Sequence, residues 1–144
     1  MKKIMIVDDN YLSAEGIEKN IDWETLNAEI IHVCYNGTSA IEAMKKEPAD
    51  LIISDIEMPD LDGISMSRQA LEINPMVKII LISAYDKFEY ARRALLLGAL
   101  DYIEKPLDYA YLIQKVKNAF ALMEKEQKNL QLLKQSRPLL TEKF

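Results

Sequence analysis

The sequence predicts an α/β fold, a doubly wound sheet of five parallel strands, for three reasons. Short apolar runs rich in isoleucine, valine and leucine recur along the chain, as expected for strands buried on both faces. Amphipathic segments lie between these runs, so that strand and helix alternate five times. Polar side chains follow several of the runs, and a parallel sheet brings such strand ends to one edge.

Five apolar runs are the predicted strands. They are KIMIV from Lys3, EIIHVCY from Glu29, LIIS from Leu51, VKIILIS from Val77 and LDYI from Leu100. Helices are predicted after the turn pair Asn36-Gly37, after Asp62-Gly63, and from an N-cap at Asp86 to Gly98. The connection after the first helix is longer than the others, and its Trp23 is interpreted as a packing residue of the core.

The last helix is predicted to begin near Asp108 and to end at about Ser136, because Pro138 would stop it. Its apolar residues follow a heptad-like spacing that is interrupted at Glu126. Two interpretations stay open. The helix packs on the core as far as Met123 and continues as a solvated tail, or it is a helical linker that pairs with a second copy of the chain.

The composition limits the class of protein. With 144 residues, 49% of them hydrophobic, the chain has the size and the apolar content of one domain. A net charge of −5 disfavours direct binding to a nucleic-acid backbone. A single cysteine, Cys34, excludes an intramolecular disulfide and a cysteine-based zinc site. The first apolar run stops at Asp8, too early for a secretory signal, and no run is long enough to span a membrane, so a cytoplasmic protein is expected.

Charged and polar side chains follow four of the predicted strands. Asp8 and Asp9 end the first strand, Asp55 ends the third, Ser83 ends the fourth and Lys105 follows the fifth. Three carboxylates close together repel one another unless positive charge lies among them. Lys105 supplies one charge and a divalent cation would supply two, and ligation by oxygen alone favours Mg²⁺.

This arrangement predicts a site for a phosphoryl group. Asp55 is the expected nucleophile, since carboxylates serve as covalent nucleophiles in phosphoryl transfer. Asp8 and Asp9 are expected to hold the metal, with Asp9 as the more direct ligand. Ser83 and Lys105 are expected to bond the phosphoryl oxygens.

The ordered set Asp8-Asp9, SDIEMPDLDG, Ser83-Ala84 and Lys105-Pro106 resembles the response regulator receiver domain of bacterial two-component signalling. The resemblance covers about Lys2 to Met123 and implies a flavodoxin-like fold, a doubly wound five-stranded parallel sheet with the strand order 2-1-3-4-5. The stretches IDWE and SAYDKFEYARRALLLGALDYIEKP are similar, more narrowly, to receivers fused to an AraC-type helix-turn-helix DNA-binding domain.

The resemblance implies a set of roles. A sensor histidine kinase would phosphorylate Asp55, and Mg²⁺ would bind to Asp9, Asp55 and the backbone carbonyl of Glu57. Ser83 would move toward the phosphoryl group while Tyr102 turns inward as a switch. The resemblance also implies a cis peptide between Lys105 and Pro106, and it makes Glu57 and Tyr85 the positions that tune hydrolysis.

The predicted function is that of a signalling receiver that catalyses only its own phosphorylation and dephosphorylation and controls transcription. Residues 1–123 are the predicted receiver domain, and residues 124–144 a helical linker extension towards an output domain that this chain lacks. The expected partners are the kinase, a second copy bound through the last helix and the adjacent face, and DNA only through the output domain; no membrane partner is expected.

Two alternatives stay open. A stand-alone single-domain regulator would act through protein contacts alone. A phosphohydrolase of the haloacid dehalogenase kind also uses an aspartate nucleophile and Mg²⁺, but there the nucleophile follows the first strand and an aspartate lies two residues later. Here Asp55 follows the third strand and position 57 is a glutamate. Because the chain ends in SRPLLTEKF without a helix-turn-helix, a receiver fragment of a longer regulator is expected.

Overall fold

The chain forms one five-stranded sheet between two layers of helices in a computed structural model that describes residues 1–84 and 88–142. The strands are β1 (Lys2–Val7), β2 (Ala28–Cys34), β3 (Leu51–Asp55), β4 (Lys78–Ser83) and β5 (Asp101–Glu104). The helices are α1 (Tyr11–Asn20), α2 (Gly37–Lys46), α3 (Gly63–Ile73), α4 (Phe88–Leu97) and α5 (Tyr109–Glu142). The predicted alternation of strand and helix is confirmed. Tyr85 and Asp86 lie outside the described residues, so the roles expected for them stay predictions.

The strand order is β2-β1-β3-β4-β5, and each neighbouring pair is parallel, as predicted. In register, Val7 of β1 lies beside Ser54 of β3, and Asp55 lies beside Ile82 of β4. All five strands therefore end at the same edge of the sheet. The order reverses between β1 and β3, where a doubly wound sheet opens a crevice for ligands.

Two apolar cores lie on the two faces of the sheet. One core joins the sheet to α1 and α5, and the other joins it to α2, α3 and α4. The side chains of β3 alternate between them, with Ile53 in the first core and Ile52 in the second, and both are fully buried. This pattern explains why the strands read as continuous apolar runs.

Trp23 closes the end of the core beside α1. Its side chain is buried, and its indole N–H donates a hydrogen bond to the carbonyl of Ile17 over 3.3 Å. The turn that follows ends at Asn27, whose φ of 56° is a left-handed conformation that asparagine tolerates. The interpretation of Trp23 as a packing residue is confirmed.

Helix α5 extends further than predicted. It runs to Glu142, so the predicted end at about Ser136 is wrong. A proline inside a helix removes one backbone hydrogen bond, yet the chain stays helical through Pro138. None of the described helices is both long and apolar enough to cross a membrane.

Glu126, the polar residue that interrupts the heptad-like spacing of α5, forms an ion pair with a residue of the sheet. The carboxylate of Glu126 pairs with the ammonium of Lys78, at the start of β4, over 2.7 Å. Beyond this pair Leu130 and Leu133 are 46% and 63% exposed. The division at residues 123 and 124 stays a prediction, as does pairing of the extension with a second copy.

Candidate functional site

Three carboxylates meet at the crevice between β1 and β3. Asp8 and Asp9 directly follow β1, and Asp55 is the last residue of β3. One carboxylate oxygen from each lies within 4.8 Å of the others. Asp8 and Asp55 are buried, whereas Asp9 is exposed at the rim. The structure thus brings together the acidic residues that the sequence predicts, in an arrangement that could hold a metal ion.

One ammonium group lies among these carboxylates. The Nζ atom of Lys105 lies 3.5 Å from Oδ2 of Asp8 and 3.8 Å from Oδ1 of Asp55. The backbone N–H of Lys105 donates to the carbonyl of Ser83 over 2.8 Å, which ties the residue to the end of β4. The peptide bond between Lys105 and Pro106 is cis, as the resemblance implied. Among the described residues no other ion pair to these carboxylates is present, so the negative charge of the cluster exceeds the positive charge of Lys105.

Burial and repulsion oppose the ionisation of Asp55. Desolvation is the larger cause and the charge of Asp8 adds to it, so the pKa of Asp55 rises to about 6, although Lys105 works in the opposite direction. Burial also raises the pKa of Asp8, against the hydrogen bond from the Asn10 amide and the charge of Lys105. A divalent cation at the site would reverse this balance, because it stabilises the charged form of both carboxylates.

Backbone amides fix the orientation of both buried carboxylates. The amide of Asn10 donates to Oδ1 of Asp8 over 2.9 Å, and the amide of Ile56 donates to Oδ1 of Asp55 over 3.1 Å. Asn10 is itself the N-cap of α1, since its side chain accepts from the amides of Leu12 and Ser13. The second carboxylate oxygen of Asp8, Oδ2, faces the ammonium group of Lys105, so a hydrogen bond and an ion pair together orient this carboxylate.

Ser83 and Glu57 meet beside this cluster. Ser83 is fully buried at the end of β4, and its hydroxyl donates to Oε1 of Glu57 over 3.4 Å, a long hydrogen bond. Tyr102 lies on β5 beside Leu81 and packs, half-buried, against the core that faces α2, α3 and α4. Of the predicted site residues, Asp8, Asp9, Asp55 and Lys105 therefore form one cluster. The switch roles of Ser83 and Tyr102 stay predictions.

Gly63, which the sequence marks only as part of the Asp62-Gly63 turn, also allows close packing beside Asp55. A Cβ atom there would overlap the carbonyl oxygen of Asp55 and lie 2.9 Å from the Cα of Ile56. The amide of Gly63 donates to the carbonyl of Ile56 over 2.7 Å, and Asp62 caps α3 through the amide of Ser65. The glycine lets the start of α3 pack directly on the backbone of the central aspartate.

Sequence reasoning missed Asp60. Its two carboxylate oxygens accept hydrogen bonds from the amides of Gly37 and Thr38, at the start of α2. No local pattern could have found this contact, because it joins residues that lie more than twenty positions apart in the chain. Its only local signal is an acidic residue inside the loop that follows Asp55.

A family model for the response regulator receiver domain matches residues 4–117. Among curated proteins, the uncharacterized transcriptional regulatory protein YesN of Bacillus subtilis is 29% identical over 126 residues. The match covers 88% of this chain but only 34% of YesN, so the chain spans about a third of that relative's length.

Solved structures with the same architecture include two informative neighbours. A two-component transcriptional regulator AraC from Clostridium phytofermentans is 30% identical with a TM-score of 0.78, over 90% of this chain and 99% of that one. The CheX-CheY-BeF₃-Mg²⁺ complex from Borrelia burgdorferi matches with 29% identity and a TM-score of 0.72, over 83% of this chain and 89% of that one.

Proposed function

The chain belongs to the response regulator receiver domain family, and we propose that Asp55 accepts a phosphoryl group from a sensor histidine kinase in a Mg²⁺-dependent reaction. The observation that carries this proposal is the cluster of three carboxylates within 4.8 Å of one another, with Lys105 beside two of them. This cluster lies at the point where the strand order of the sheet reverses, which is the expected position of a ligand in such a fold.

Asp55 acts as the nucleophile in this proposal. One of its carboxylate oxygens attacks phosphorus, and the new P–O bond forms while the P–N bond of the phosphohistidine breaks. The electron pair of that bond returns to the imidazole, which leaves as the histidine of the kinase. Lys105 then bonds a phosphoryl oxygen from a position already within 4 Å of Asp55, and the hydroxyl of Ser83 bonds a second one.

The residues present fit Mg²⁺ through oxygen ligands alone. Asp8, Asp9 and Asp55 would hold the ion, together with the backbone carbonyl of Glu57. The ion would supply charge neutralisation for the attacking and transferred oxygens. The similarity to a CheY that was solved with BeF₃ and Mg²⁺ supports this ligand.

A groove beside the carboxylates offers the phosphodonor a way in. It has a volume of about 350 Å³ and passes between the start of α1 and the segment that joins β5 to α5. Leu12 and Leu107 line it together with Asp8 and Lys105. Leu12 is 80% exposed, so apolar surface is available next to the reacting groups for contact with a kinase.

The phosphoryl group changes the conformation of the residues around it, and this change produces the output of the switch. Ser83 moves toward that group and Tyr102 turns inward, which changes the surface of β5 and of its neighbouring helices. Residues 1–123 form the receiver, and the extension at 124–144 carries the change to a DNA-binding output domain or into a homodimer. The chain acts in this way as a cytoplasmic signalling component of transcription control, and its only chemistry is its own phosphorylation and dephosphorylation.

Labelling with phosphoramidate, a small donor that contains a P–N bond, tests the proposal. We expect Mg²⁺-dependent incorporation of up to one phosphoryl group per chain, lost in Asp55→Asn and kept in Glu42→Gln, a change on the exposed side of α2. Size-exclusion chromatography of the labelled protein then measures dimer formation.

Two results would count against the proposal. Absence of labelling in a well-folded protein that binds Mg²⁺ would refute Asp55 as an acceptor. Sustained turnover of p-nitrophenyl phosphate that depends on Asp55 would instead identify a phosphohydrolase.

A further inference from the structure

The segment between β3 and α3, residues 56–62, is held at both of its ends. At its start, the amide of Ile56 donates to the carbonyl of Ile82 in β4 over 2.9 Å. At its end, the amide of Gly63 donates back to the carbonyl of Ile56 over 2.7 Å. These bonds fix where the segment leaves the sheet and where it enters α3, but they do not reach its middle.

A third anchor holds the middle of this segment to α2. Oδ1 of Asp60 accepts from the amide of Gly37 over 3.3 Å, and Oδ2 accepts from the amide of Thr38 over 3.1 Å. The amide of Ser39 is already satisfied by the N-cap Asn36 over 2.7 Å. Asp60 thus accepts hydrogen bonds from the two amides at the start of α2 that the side chain of Asn36 does not satisfy. Negative charge is favourable at this position.

Two further features support this anchor. The pKa of Asp60 falls to about 2, chiefly through its hydrogen bond with the Thr38 side chain, so the carboxylate is ionised under physiological conditions. Leu61 packs against Gly37 so closely that a Cβ atom on that glycine would overlap the carbonyl oxygen of Leu61. The absence of a side chain at position 37 is therefore what allows the two segments to meet.

We infer that Asp60 is a positioning residue for the phosphorylation site, because it fixes the segment that carries Glu57 against α2. This inference rests on the proposed function. Glu57 lies between the anchor at Ile56 and the anchor at Asp60, and its side chain already reaches the hydroxyl of Ser83. When the middle anchor is lost, the two end anchors keep the fold intact, and only the stretch around Glu57 gains freedom.

Mg²⁺ affinity in purified variants tests the role of Asp60. Asp60→Ala removes both acceptors, and Asp60→Asn keeps one acceptor while its amide group cannot accept from the second N–H. We expect the Mg²⁺ dissociation constant, measured by calorimetry, to increase about tenfold in Asp60→Ala and less in Asp60→Asn, as for other residues that orient metal ligands. Phosphorylation should fall at limiting Mg²⁺ and recover at saturating Mg²⁺, and the melting temperature should fall by only a few degrees, as for the loss of a helix cap.

Asp22→Ala is the matched control. Asp22 is also exposed and accepts a backbone amide within a turn, that of Thr25 over 3.4 Å, but it lies outside the phosphorylation site. Its Mg²⁺ affinity should equal that of the wild type. Equal affinity in Asp60→Ala and the wild type would overturn the inference and leave the proposed function standing. A wild-type chain that binds no Mg²⁺ and takes no phosphoryl group would overturn both.

Discussion

Replacing Asp55 by asparagine should stabilise the protein at neutral pH when no metal is present. The folded protein raises the pKa of this carboxyl from 3.8 to about 6, so the ionised group is worse off in the folded state than in the unfolded chain. At about 1.4 kcal/mol for each unit by which the two pKa values differ, ionisation costs about 3 kcal/mol of folding free energy above pH 6. The carboxamide of the variant would keep an acceptor for the amide of Ile56 without this cost.

The sign of the pH dependence follows from the raised pKa. A carboxyl of this kind contributes its full stability below the unfolded pKa, near pH 3.8, and loses that contribution as the pH rises through about 6. The variant and the wild type should therefore be equally stable near pH 3.5, and Asp55→Asn should lead by about 3 kcal/mol at pH 7.5.

Urea unfolding in the presence of EDTA, followed by the fluorescence of the buried Trp23, measures this difference. With a typical urea dependence of about 1–3 kcal/mol per molar, the midpoint should shift upward by about 1–3 M at pH 7.5. Glu42→Gln, which changes an exposed carboxylate, should show no shift. A variant that is no more stable than the wild type at pH 7.5, or equally more stable at both pH values, would refute the reasoning.

Mg²⁺ should largely close this gap in stability. An ion that binds only the folded state stabilises it by about 2.7 kcal/mol at one hundred times its dissociation constant. The wild type should gain this amount, whereas Asp55→Asn, which would lack one of the proposed carboxylate ligands, should gain less. A gap between the two proteins that Mg²⁺ leaves unchanged would mean that Asp55 is not part of a metal site.

Three further substitutions test single contacts. Gly63→Ala should cost about 1–3 kcal/mol of stability in urea unfolding and weaken Mg²⁺ binding, because the new methyl group would overlap the carbonyl of Asp55. Lys78→Met should cost about 1–2 kcal/mol, because it leaves the half-buried Glu126 carboxylate without its cation, and a double change that also replaces Glu126 by leucine should recover part of this loss. Lys105→Met should raise the pKa of Asp55 above about 6 in a carboxyl NMR titration in EDTA, since the ammonium group of Lys105 lowers that pKa. An unchanged pKa would exclude an electrostatic interaction between Lys105 and Asp55.

The sheet and the acidic cluster could be predicted because each depends on local pattern and one topological rule. Strands buried on both faces must be apolar throughout, as Ile52 and Ile53 are. Parallel strands then bring their ends to one edge, so Asp8 and Asp55 could be placed together without knowledge of any side-chain contact. The predicted packing role of Trp23 was confirmed for a similar reason, since a large apolar side chain in a connection usually covers the core.

Contacts between distant polar residues could not be predicted. The heptad pattern made Glu126 look like a fault in a seam, and only the folded chain shows that Lys78 on β4 neutralises it. The bond of Asp60 to the start of α2 is of the same kind. The end of α5 was misjudged because a local preference against Pro138 was treated as a stop, although the chain stays helical through that residue.

Intact mass spectrometry after incubation with acetyl phosphate tests the central claim most directly. The account predicts a single adduct of about 80 Da on the wild-type chain, present with Mg²⁺ and absent with EDTA or in Asp55→Asn. An adduct that persists in Asp55→Asn, or no adduct on a folded wild-type chain that binds Mg²⁺, would contradict the assignment of Asp55 as the phosphoryl acceptor.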